Sequence, residues 1–467
     1  NDLWELNAGS PDGQTANGSA NEYALRSFFG RLTYDYDNRY LVEANIRRDG
    51  TSRIFKDSRW GVFPSFSGAW RIINEPFMEG TRNVLSDLKL RGGWGILGNQ
   101  AISYYSYQSV LDQANYSFGG TVVQGVAPVD GANRNLVWET TETLNFGLDM
   151  GFLGNQYTLS IEGYRKLTYD ILMKLPVSTL YGLNAPYQNA GKVKNTGFEM
   201  TAGYKLNTHG WNFQVSANAA YNKNEVLDLK NGGARIWSGK YFNQEGYAIN
   251  SIGGYIAEGL FKTEEEVANS ATIPGTETAP GDIKYRDINN DGKIDGEDRV
   301  YIGNTMPKWT FGLNLFAEWK GFDATFLFQG AADVQGYLAG PGVVGEMIGA
   351  KGKPSYMYRD CWDAETNPNG KFPRAFSSYR QNNSIYNPSS FWIVNSSYLR
   401  LKNFQLGYTL PKEWCNIMGI SRIRVYYSGQ NLLTFTKFDK GFDPESPEGG
   451  SSYPQVKTNT FGLNITF

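Results

Sequence analysis

The chain has 467 residues, of which 44 are lysine or arginine and 46 are aspartate or glutamate, so that its formal net charge is −2. This near balance argues against a nucleic-acid partner. Aromatic residues make up 15% of the chain and 54 positions are glycine, whereas no apolar run reaches the roughly 18 residues of a membrane-spanning helix, so the composition favours an all-β protein.

Alternation of apolar and polar side chains with a period of two residues predicts thirteen β-strands. Most have about 10–14 residues, which suits a tilted crossing of a bilayer, whereas soluble strands have about 5–6. In one of them Phe311 and Leu313 share one face, and Gly312 and Asn314 share the other. The predicted strands are 24–36, 40–52, 60–73, 87–97, 138–152, 156–169, 196–206, 211–223, 309–320, 322–333, 397–409, 421–434 and 457–467.

The predicted connections alternate between short turns and long loops. Tight turns lie at 37–39, 153–155, 207–210 and 320–321, whereas the segments 98–137, 224–308 and 334–396 are long. Short turns on one side of a sheet and long loops on the other are typical of outer-membrane barrels. If the long loops are extracellular, the C-terminus is periplasmic, and Cys361 and Cys415 lie on opposite sides of the membrane and cannot form a disulfide.

The predicted fold is therefore a transmembrane antiparallel β-barrel with long extracellular loops. A soluble β-sandwich, propeller or lectin would also show alternating strands, but charges and amides at strand centres suit a wet lumen better than a second sheet. One strand changes phase at Lys402–Asn403, which predicts a β-bulge. An open sheet of thirteen strands would leave two bare edges in lipid, so we expect the complete barrel to contain further strands.

A calcium-type motif lies in the segment 265–308, which we predict to be an extracellular loop. Oxygen-bearing residues recur at the spacing of a calcium-binding loop, with Gly292 at the sharp turn. Asp298 stands where a glutamate is usual, so Mg²⁺ is an alternative to Ca²⁺, and a metal-free turn is a third reading. The predicted ligands are Asp287, Asn289, Asp291, Lys293 through its backbone carbonyl, Asp295 and Asp298.

Aromatic residues in the predicted loops are candidates for substrate binding, because flat rings stack on sugars and grip peptides. The alternative is that they pack within the loops or against a partner protein. The candidates are Tyr104, Tyr105, Trp237, Tyr241, Tyr356 and Trp362. Catalysis finds no support, because the single histidine, His209, has no cysteine or carboxylate cluster beside it in the sequence.

Long segments of the chain resemble SusC/RagA-type TonB-dependent transporters of Bacteroidetes. They include RLTYDYDNRYLVEANIRRDGTSR at 31–53, LKLRGGWGILGNQ at 88–100, GDIKYRDINNDGKIDGEDRVYIGNTMPKWTFGLN at 281–314 and YLRLKNFQLGYTLPKEW at 398–414. The resemblance implies a barrel of about 22 strands, of which residues 1–467 are the C-terminal part. An N-terminal plug and the first strands would then precede this sequence.

The same resemblance implies a function and partners. It implies TonB-dependent import of oligosaccharides or oligopeptides across the outer membrane, with a SusD-like surface lipoprotein as a lid, outer-membrane lipid around the wall and TonB acting on the plug. A secreted, calcium-stabilised glycan-binding β-protein is the alternative. The final strand resembles a barrel-assembly signal, carried by Phe461, Leu463, Ile465 and Phe467.

Overall fold

The computed structural model describes residues 20–338, 359–375, 387–417, 419–438, 442–446 and 455–467. Thirteen long antiparallel strands form one sheet, and each pairs with the next of the thirteen along the chain. They are β1 (Leu25–Tyr36), β2 (Tyr40–Thr51), β3 (Trp60–Arg71), β4 (Leu85–Asn99), β5 (Glu139–Phe152), β6 (Tyr157–Tyr169), β7 (Lys192–Thr208), β8 (Trp211–Asp228), β9 (Trp309–Trp319), β10 (Phe322–Ala332), β11 (Tyr398–Thr409), β12 (Arg422–Thr436) and β13 (Thr458–Thr466). The strands predicted from the sequence are thereby confirmed.

The pairing register aligns apolar side chains from strand to strand on one face of the sheet. Val215 of β8 lies opposite Leu315 of β9, which lies opposite Phe326 of β10. Phe326 in turn pairs with Phe404 of β11. A slip of one residue would move each strand's apolar set to the other face, so burial of this face in lipid specifies the register.

This apolar face is open over the described part of the chain. Phe461 and Leu463 of β13 are 82% and 57% exposed. Apolar side chains of this size are not left bare in water over a continuous surface. The open face is inconsistent with a β-sandwich, whose inner residues would be covered by a second sheet.

Aromatic residues mark the two ends of the apolar band. At one end Trp211 stacks on Trp319 with ring centroids 5.0 Å apart, and at the other Tyr221 meets Trp309 at 5.0 Å. Ten residues of strand separate Trp211 from Tyr221, about 33 Å at about 3.3 Å per residue. A tilt of about 40° reduces this to about 25 Å, the height of the apolar band of a transmembrane barrel.

Tight turns close the sheet at the Trp211 end. His209 and Gly210 have φ of 47° and 81°, and Lys320 and Gly321 have 47° and 86°. Positive φ at both central residues gives the turn whose twist matches that of the flanking strands. The connection between β11 and β12 contains a short helix, Lys412–Ile417.

The predicted bulge in β11 is confirmed. The register of β11 against both neighbours shifts at Lys402, between Leu401 and Asn403. The irregularity continues into β12, where Asn431 has a φ of 53°. The extra residue keeps Leu401 and Phe404 on the same face although they are three positions apart.

The opposite end of the sheet carries the long loops, which contain secondary structure of their own. None of the helices in the described part of the chain has the length and hydrophobicity needed to span a membrane. The short strands are Leu111–Phe118, Thr121–Pro128, Leu172–Lys174, Tyr187–Asn189, Ile236–Ser238, Tyr241–Asn243, Ser251–Gly254, Ala257–Leu260, Ile283–Tyr285, Val300–Gly303, Gln335–Tyr337 and Ile393–Asn395. The long loops also contain the helix Glu264–Ala268 and 3-10 turns at Thr179–Tyr181, Gly296–Asp298 and Ser390–Trp392. Two further 3-10 turns, Ile72–Asn74 and Pro76–Thr81, connect β3 to β4 at the tight-turn end.

Candidate functional site

The loops that follow β8 and β10 pack around a hydrophobic core of their own. Strands Ile236–Ser238, Tyr241–Asn243, Ser251–Gly254 and Val300–Gly303 form a four-stranded sheet above the wall. The core beneath it is drawn from loop residues: Ile252, Tyr255, Ile283, Tyr285, Ile294, Tyr337, Cys361 and Trp392. We call this unit the loop domain; because it has a core, it can hold side chains in fixed positions above the lumen.

Hydrogen bonds and one buried ion pair join the parts of the loop domain. The backbone of Tyr255 donates to the carbonyl of Pro388 at 2.8 Å and accepts from Ser390 at 2.9 Å. Arg374 lies 2.9 Å from Asp282, whose side chain is only 4% exposed. Since these contacts link segments about a hundred residues apart in sequence, the loop domain is one packed unit rather than a set of independent loops.

A cavity of about 700 Å³ in the loop domain, which we call the arginine pocket, contains one predicted substrate residue and adjoins another. Tyr241 lines it, and Trp237 lies beneath Arg299, with the guanidinium carbon 3.8 Å from the ring centroid. Burial lowers the pKa of the Arg299 guanidinium. The lining residues are Ser238, Gly239, Lys240, Tyr241, Arg299, Tyr337 and Pro388.

A second cavity of about 840 Å³, the tryptophan pocket, contains Trp362. Trp362 is 8% exposed, and its indole N–H is buried without an acceptor among the described residues. Its ring lies against Gly281, where a Cβ atom would come within 2.4 Å of the indole. Polar and charged side chains complete the lining: Glu264, Arg359, Asp363, Thr366, Asn367 and Arg374.

The remaining aromatic candidates lie elsewhere. Tyr104 and Tyr105 join Tyr23 in an aromatic cluster near the loop ends of β1 and β4, and Arg53 lies 4.7 Å above the Tyr104 ring. Tyr356 lies outside the described residues. The five described candidates therefore do not form one site: Trp237 and Tyr241 are neighbours, and Trp362 and the Tyr104 cluster are separate from them.

The calcium-type motif forms a closed loop held by its own side chains. Asp287 accepts the backbone N–H groups of Asn290 and Gly292, at 2.7 and 2.8 Å. Gly292 has a φ of 85°, a conformation that favours glycine. Buried Asp298 accepts from the backbone of Ile288 and Asp295, at 2.7 and 2.8 Å. Asp298 therefore closes the loop from within.

The carboxylates of Asp291 and Asp295 converge on a cation within the same loop. They lie 3.5 and 2.6 Å from the ammonium of Lys293. The hydrogen bond from Lys293 to Asp295 holds the pKa of Asp295 below its usual range. Within the described residues, no group of three or more His, Cys, Asp or Glu side chains is arranged to hold a metal ion. The metal site thus stays a prediction, and amide and backbone oxygens would have to complete its set of ligands.

The polar face of the sheet is lined by hydrogen-bonded charges. Arg91 of β4 pairs with Asp149 of β5 at 3.2 Å and also with Glu162 of β6, which accepts a hydrogen bond from Asn145 at 2.7 Å. Such a network has no place in contact with hydrocarbon, where charged groups are costly. This face is the lumen side of the wall, and it lies below the loop domain.

Sequence reasoning identified Trp237 and Tyr241 but missed Tyr337 and the cations beside the Trp237 ring. Arg299 and Arg235 lie 3.8 and 6.0 Å from that ring. The available signal for Arg235 was its sequence spacing from Trp237, because Arg235 directly precedes the strand Ile236–Ser238. Arg299 could not be found this way, because it lies about sixty residues after Trp237 in sequence and reaches that ring only through the fold of the loop domain.

An antiparallel sheet with one open apolar face, one charged face, tight turns at one end and structured loops at the other defines an outer-membrane β-barrel wall. The chain belongs to the TonB dependent receptor-like, beta-barrel family, whose model matches residues 2–432. This is a family of receptors and transporters, not of enzymes, and its members are integral to the outer membrane.

Relatives and solved structures support the same assignment. The chain is 33% identical to TonB-dependent receptor SusC of Bacteroides thetaiotaomicron, over 97% of this chain and 44% of that protein. It is 32% identical to TonB-dependent receptor P3 of Formosa agariphila, over 96% of this chain and 46% of that protein. The structure of the RagAB peptide transporter superposes with a TM-score of 0.77 at 27% identity, covering 95% of this chain and 47% of that one.

The resemblance to SusC/RagA-type transporters is thus confirmed. The chain spans about half the length of the curated relatives it matches.

Proposed function

We propose that this protein imports oligosaccharides or oligopeptides across the outer membrane in a TonB-dependent manner. The observation that carries the proposal is the combination of a one-sided apolar wall, a hydrogen-bonded polar lumen face and a separately packed loop domain with two cavities. Similarity to SusC and to the RagAB peptide transporter supports import as the activity. Both cavities, of about 700 and 840 Å³, are of a size that accommodates small ligands or a few units of an oligomer.

The proposed orientation places the loop domain outside the cell and the tight turns, with the C-terminus, in the periplasm. Long loops face outward and short turns inward in outer-membrane barrels. A SusD-like surface lipoprotein would then cover the loop domain, and cargo would be held between the two proteins. Energy from TonB would act on a plug region, which the resemblance places before this part of the chain.

Uptake by cells tests this proposal. A strain lacking the gene would be compared with its parent for uptake of labelled oligosaccharides and oligopeptides, and the protein would be purified in detergent with its bound partners. We expect loss of uptake of one cargo class and recovery of a surface lipoprotein in the same complex. Unchanged uptake across both panels, together with no bound lipoprotein, would contradict the proposal.

We also propose that the motif at 287–298 binds Ca²⁺, or Mg²⁺, and stiffens the loop domain. A divalent ion would be held by Asp287, Asn289, Asp291, Asp295 and Asp298, with the backbone carbonyl of Lys293. Hard cations prefer oxygen ligands of this kind. Ile294, within the motif, is buried in the core of the loop domain, so an ion that fixes the motif would also fix that core.

A further inference from the structure

Among the described residues Arg299 has no carboxylate partner, unlike the cations nearest to it in sequence. Arg286 lies 2.8 Å from Glu258, Lys293 lies 2.6 Å from Asp295, and Lys308 lies 2.7 Å from Asp333. Among the ion pairs of the described residues, none involves Arg299. A cation beside the arginine pocket is therefore without a carboxylate partner, although carboxylates neutralise its neighbours in sequence.

The guanidinium of Arg299 is held in a fixed position. Its central carbon lies 3.8 Å from the centroid of the Trp237 ring, and Nη2 donates to the carbonyl of Gly239 at 3.0 Å. The backbone carbonyl of Arg299 accepts a hydrogen bond from Arg235, which fixes the main chain as well. Nε is buried and has no acceptor within the described part of the chain. The side chain thus presents an unused donor that costs free energy until an acceptor arrives.

The surroundings of Arg299 add flat aromatic surfaces. Lys240 lies 5.0 Å from the ring centroids of both Tyr241 and Tyr337, and all three line the pocket. Among the described residues that line the pocket, none is a carboxylate. Electrostatic complementarity to Arg299 therefore favours an anionic group, and the tyrosine rings favour a flat or apolar neighbour to that group.

We propose that Arg299 anchors a carboxylate-binding subsite in the arginine pocket, beside the aromatic surfaces of Tyr241 and Tyr337. A guanidinium binds a carboxylate through paired N–H donors, and partial burial strengthens such a contact. Two cargo types supply this chemistry: the uronate of an acidic oligosaccharide and the C-terminal carboxylate of an oligopeptide. The subsite deepens the proposed import function, on which its assignment as a cargo site rests.

Direct binding to the purified full-length protein in detergent tests the subsite without transport. Titration calorimetry would compare digalacturonate with digalactose, and trialanine with trialanine amide, so that each pair differs mainly in the carboxylate. We expect the charged member of one pair to bind at least tenfold more tightly, and that pair identifies the source. Equal binding within both pairs would overturn the proposal.

Variants locate the effect. Arg299→Gln should abolish the preference for the charged ligand, whereas the control Arg286→Gln, which removes an exposed and already paired arginine of the same loop domain, should retain it. A preference that survives in Arg299→Gln would overturn the assignment. If Arg299→Gln loses the heat-modifiable gel migration of a folded barrel, Arg299→Lys decides: it keeps the charge and should retain a preference of about fivefold, and loss of the preference would count against the subsite.

Failure of import in cells and failure of this binding test are separate results, since no step of the titration requires TonB or a lipoprotein. Preferential binding of the charged ligands without uptake in cells would support the subsite and contradict the import function. Uptake in cells without preferential binding would support import and contradict the subsite.

Discussion

The guanidinium of Arg400 lies 2.8 Å from the carboxylate of Asp443, and the two side chains are only 4% and 6% exposed. Arg400 belongs to β11 of the barrel wall, whereas Asp443 belongs to the loop between β12 and β13. Glu445 extends the contact, at 2.8 Å from both Arg400 and Lys402. Buried charges therefore fasten this loop to the loop end of the wall, immediately beside the bulge in β11.

Replacing Asp443 by asparagine should loosen the loop. Breaking a buried ion pair costs about 3–5 kcal/mol, and we expect at most this loss because Glu445 still faces Arg400. Hydrogen exchange at the amides of Glu445 and Gln455, which donate to Asp443, would measure the change in local opening. Asp333→Asn is the matched control, since it breaks an exposed pair expected to contribute about 0–1 kcal/mol. Equal effects of the two substitutions would contradict the prediction.

Acid should release the same loop in the unmodified protein. Burial disfavours the charge of Asp443, but hydrogen bonds from Arg400 and from the backbone of Glu445 and Gln455 outweigh it and hold the pKa of this carboxyl below its usual range. A carboxyl with a lowered folded-state pKa stabilises the fold above its unfolded-state pKa of about 3.9 and loses that contribution as pH falls through the folded-state value. Protection of the 442–446 amides, corrected for intrinsic exchange, should be constant at neutral pH and fall below about pH 4. In Asp443→Asn this fall in amide protection below about pH 4 should be absent.

Two adjacent positions in β9 should respond in opposite ways to the same substitution. Leu313 lies on the apolar face between Ala217 and Phe328, whereas Asn314 lies on the polar face. Arginine at the lipid-facing midplane of a barrel costs about 2–4 kcal/mol, so Leu313→Arg should lower the free energy of unfolding in lipid vesicles by that amount. Asn314→Arg should change it by less than about 1 kcal/mol, because its side chain enters water. A larger loss for Asn314→Arg would reverse the assignment of the faces.

Metal removal should expose the loop domain to proteases. If Ca²⁺ occupies the motif at 287–298, a chelator should speed cleavage between residues 265 and 308, because unscreened carboxylates repel one another. Asp291→Ala should be cleaved at the faster rate with or without chelator. Glu297→Ala removes an exposed carboxylate outside the proposed ligand set and should behave as the unmodified protein. Cleavage of the unmodified protein at the same rate with and without chelator would contradict the metal proposal.

Neither cysteine should react with a thiol reagent in the folded protein. Cys361 and Cys415 are both buried thiols, at 8% and 1% exposure, and burial raises the pKa of Cys361 to about 11. At pH 8 its thiolate fraction is then about one in a thousand, and the thiolate is the reactive form. Mass spectrometry after maleimide treatment should show no adduct, whereas the exposed control Ser117→Cys should be labelled fully. Rapid labelling of the unmodified protein would contradict the prediction, and labelling at Cys361 would show that the loop domain opens.

The wall could be predicted strand by strand, because a side chain in a barrel strand faces either lipid or lumen and the alternation records the choice directly. Even the bulge at Lys402 could be predicted, from a change of phase in the alternation. The helix in the connection between β11 and β12 could not be predicted, since a helix as short as Lys412–Ile417 leaves no clear periodicity. Nor does the sequence place side chains across β-pairs in the loop domain, where strands of three or four residues are too short to show a pattern.

The candidate site, too, could be predicted only in part from the sequence. Trp237 and Tyr241 could be selected because large aromatic residues in a polar loop stand out by composition alone. Their relation to Arg299 and Tyr337 depends on contacts between segments up to a hundred residues apart, which no local pattern encodes. The role of Asp298 as an internal cap was likewise hidden, because its spacing in the motif fits a metal ligand equally well.

Among the described residues, the buried core of the loop domain includes none from the thirteen wall strands. The loop domain and the wall are thus stabilised by different sets of contacts, and a change in one need not disturb the other. Replacement of the segments 229–308 and 333–397 together by those of a relative would transplant most of the loop domain onto an unaltered wall. Transporters built this way can change their cargo by recombination of loop segments, while the strands that the barrel-folding machinery inserts stay the same.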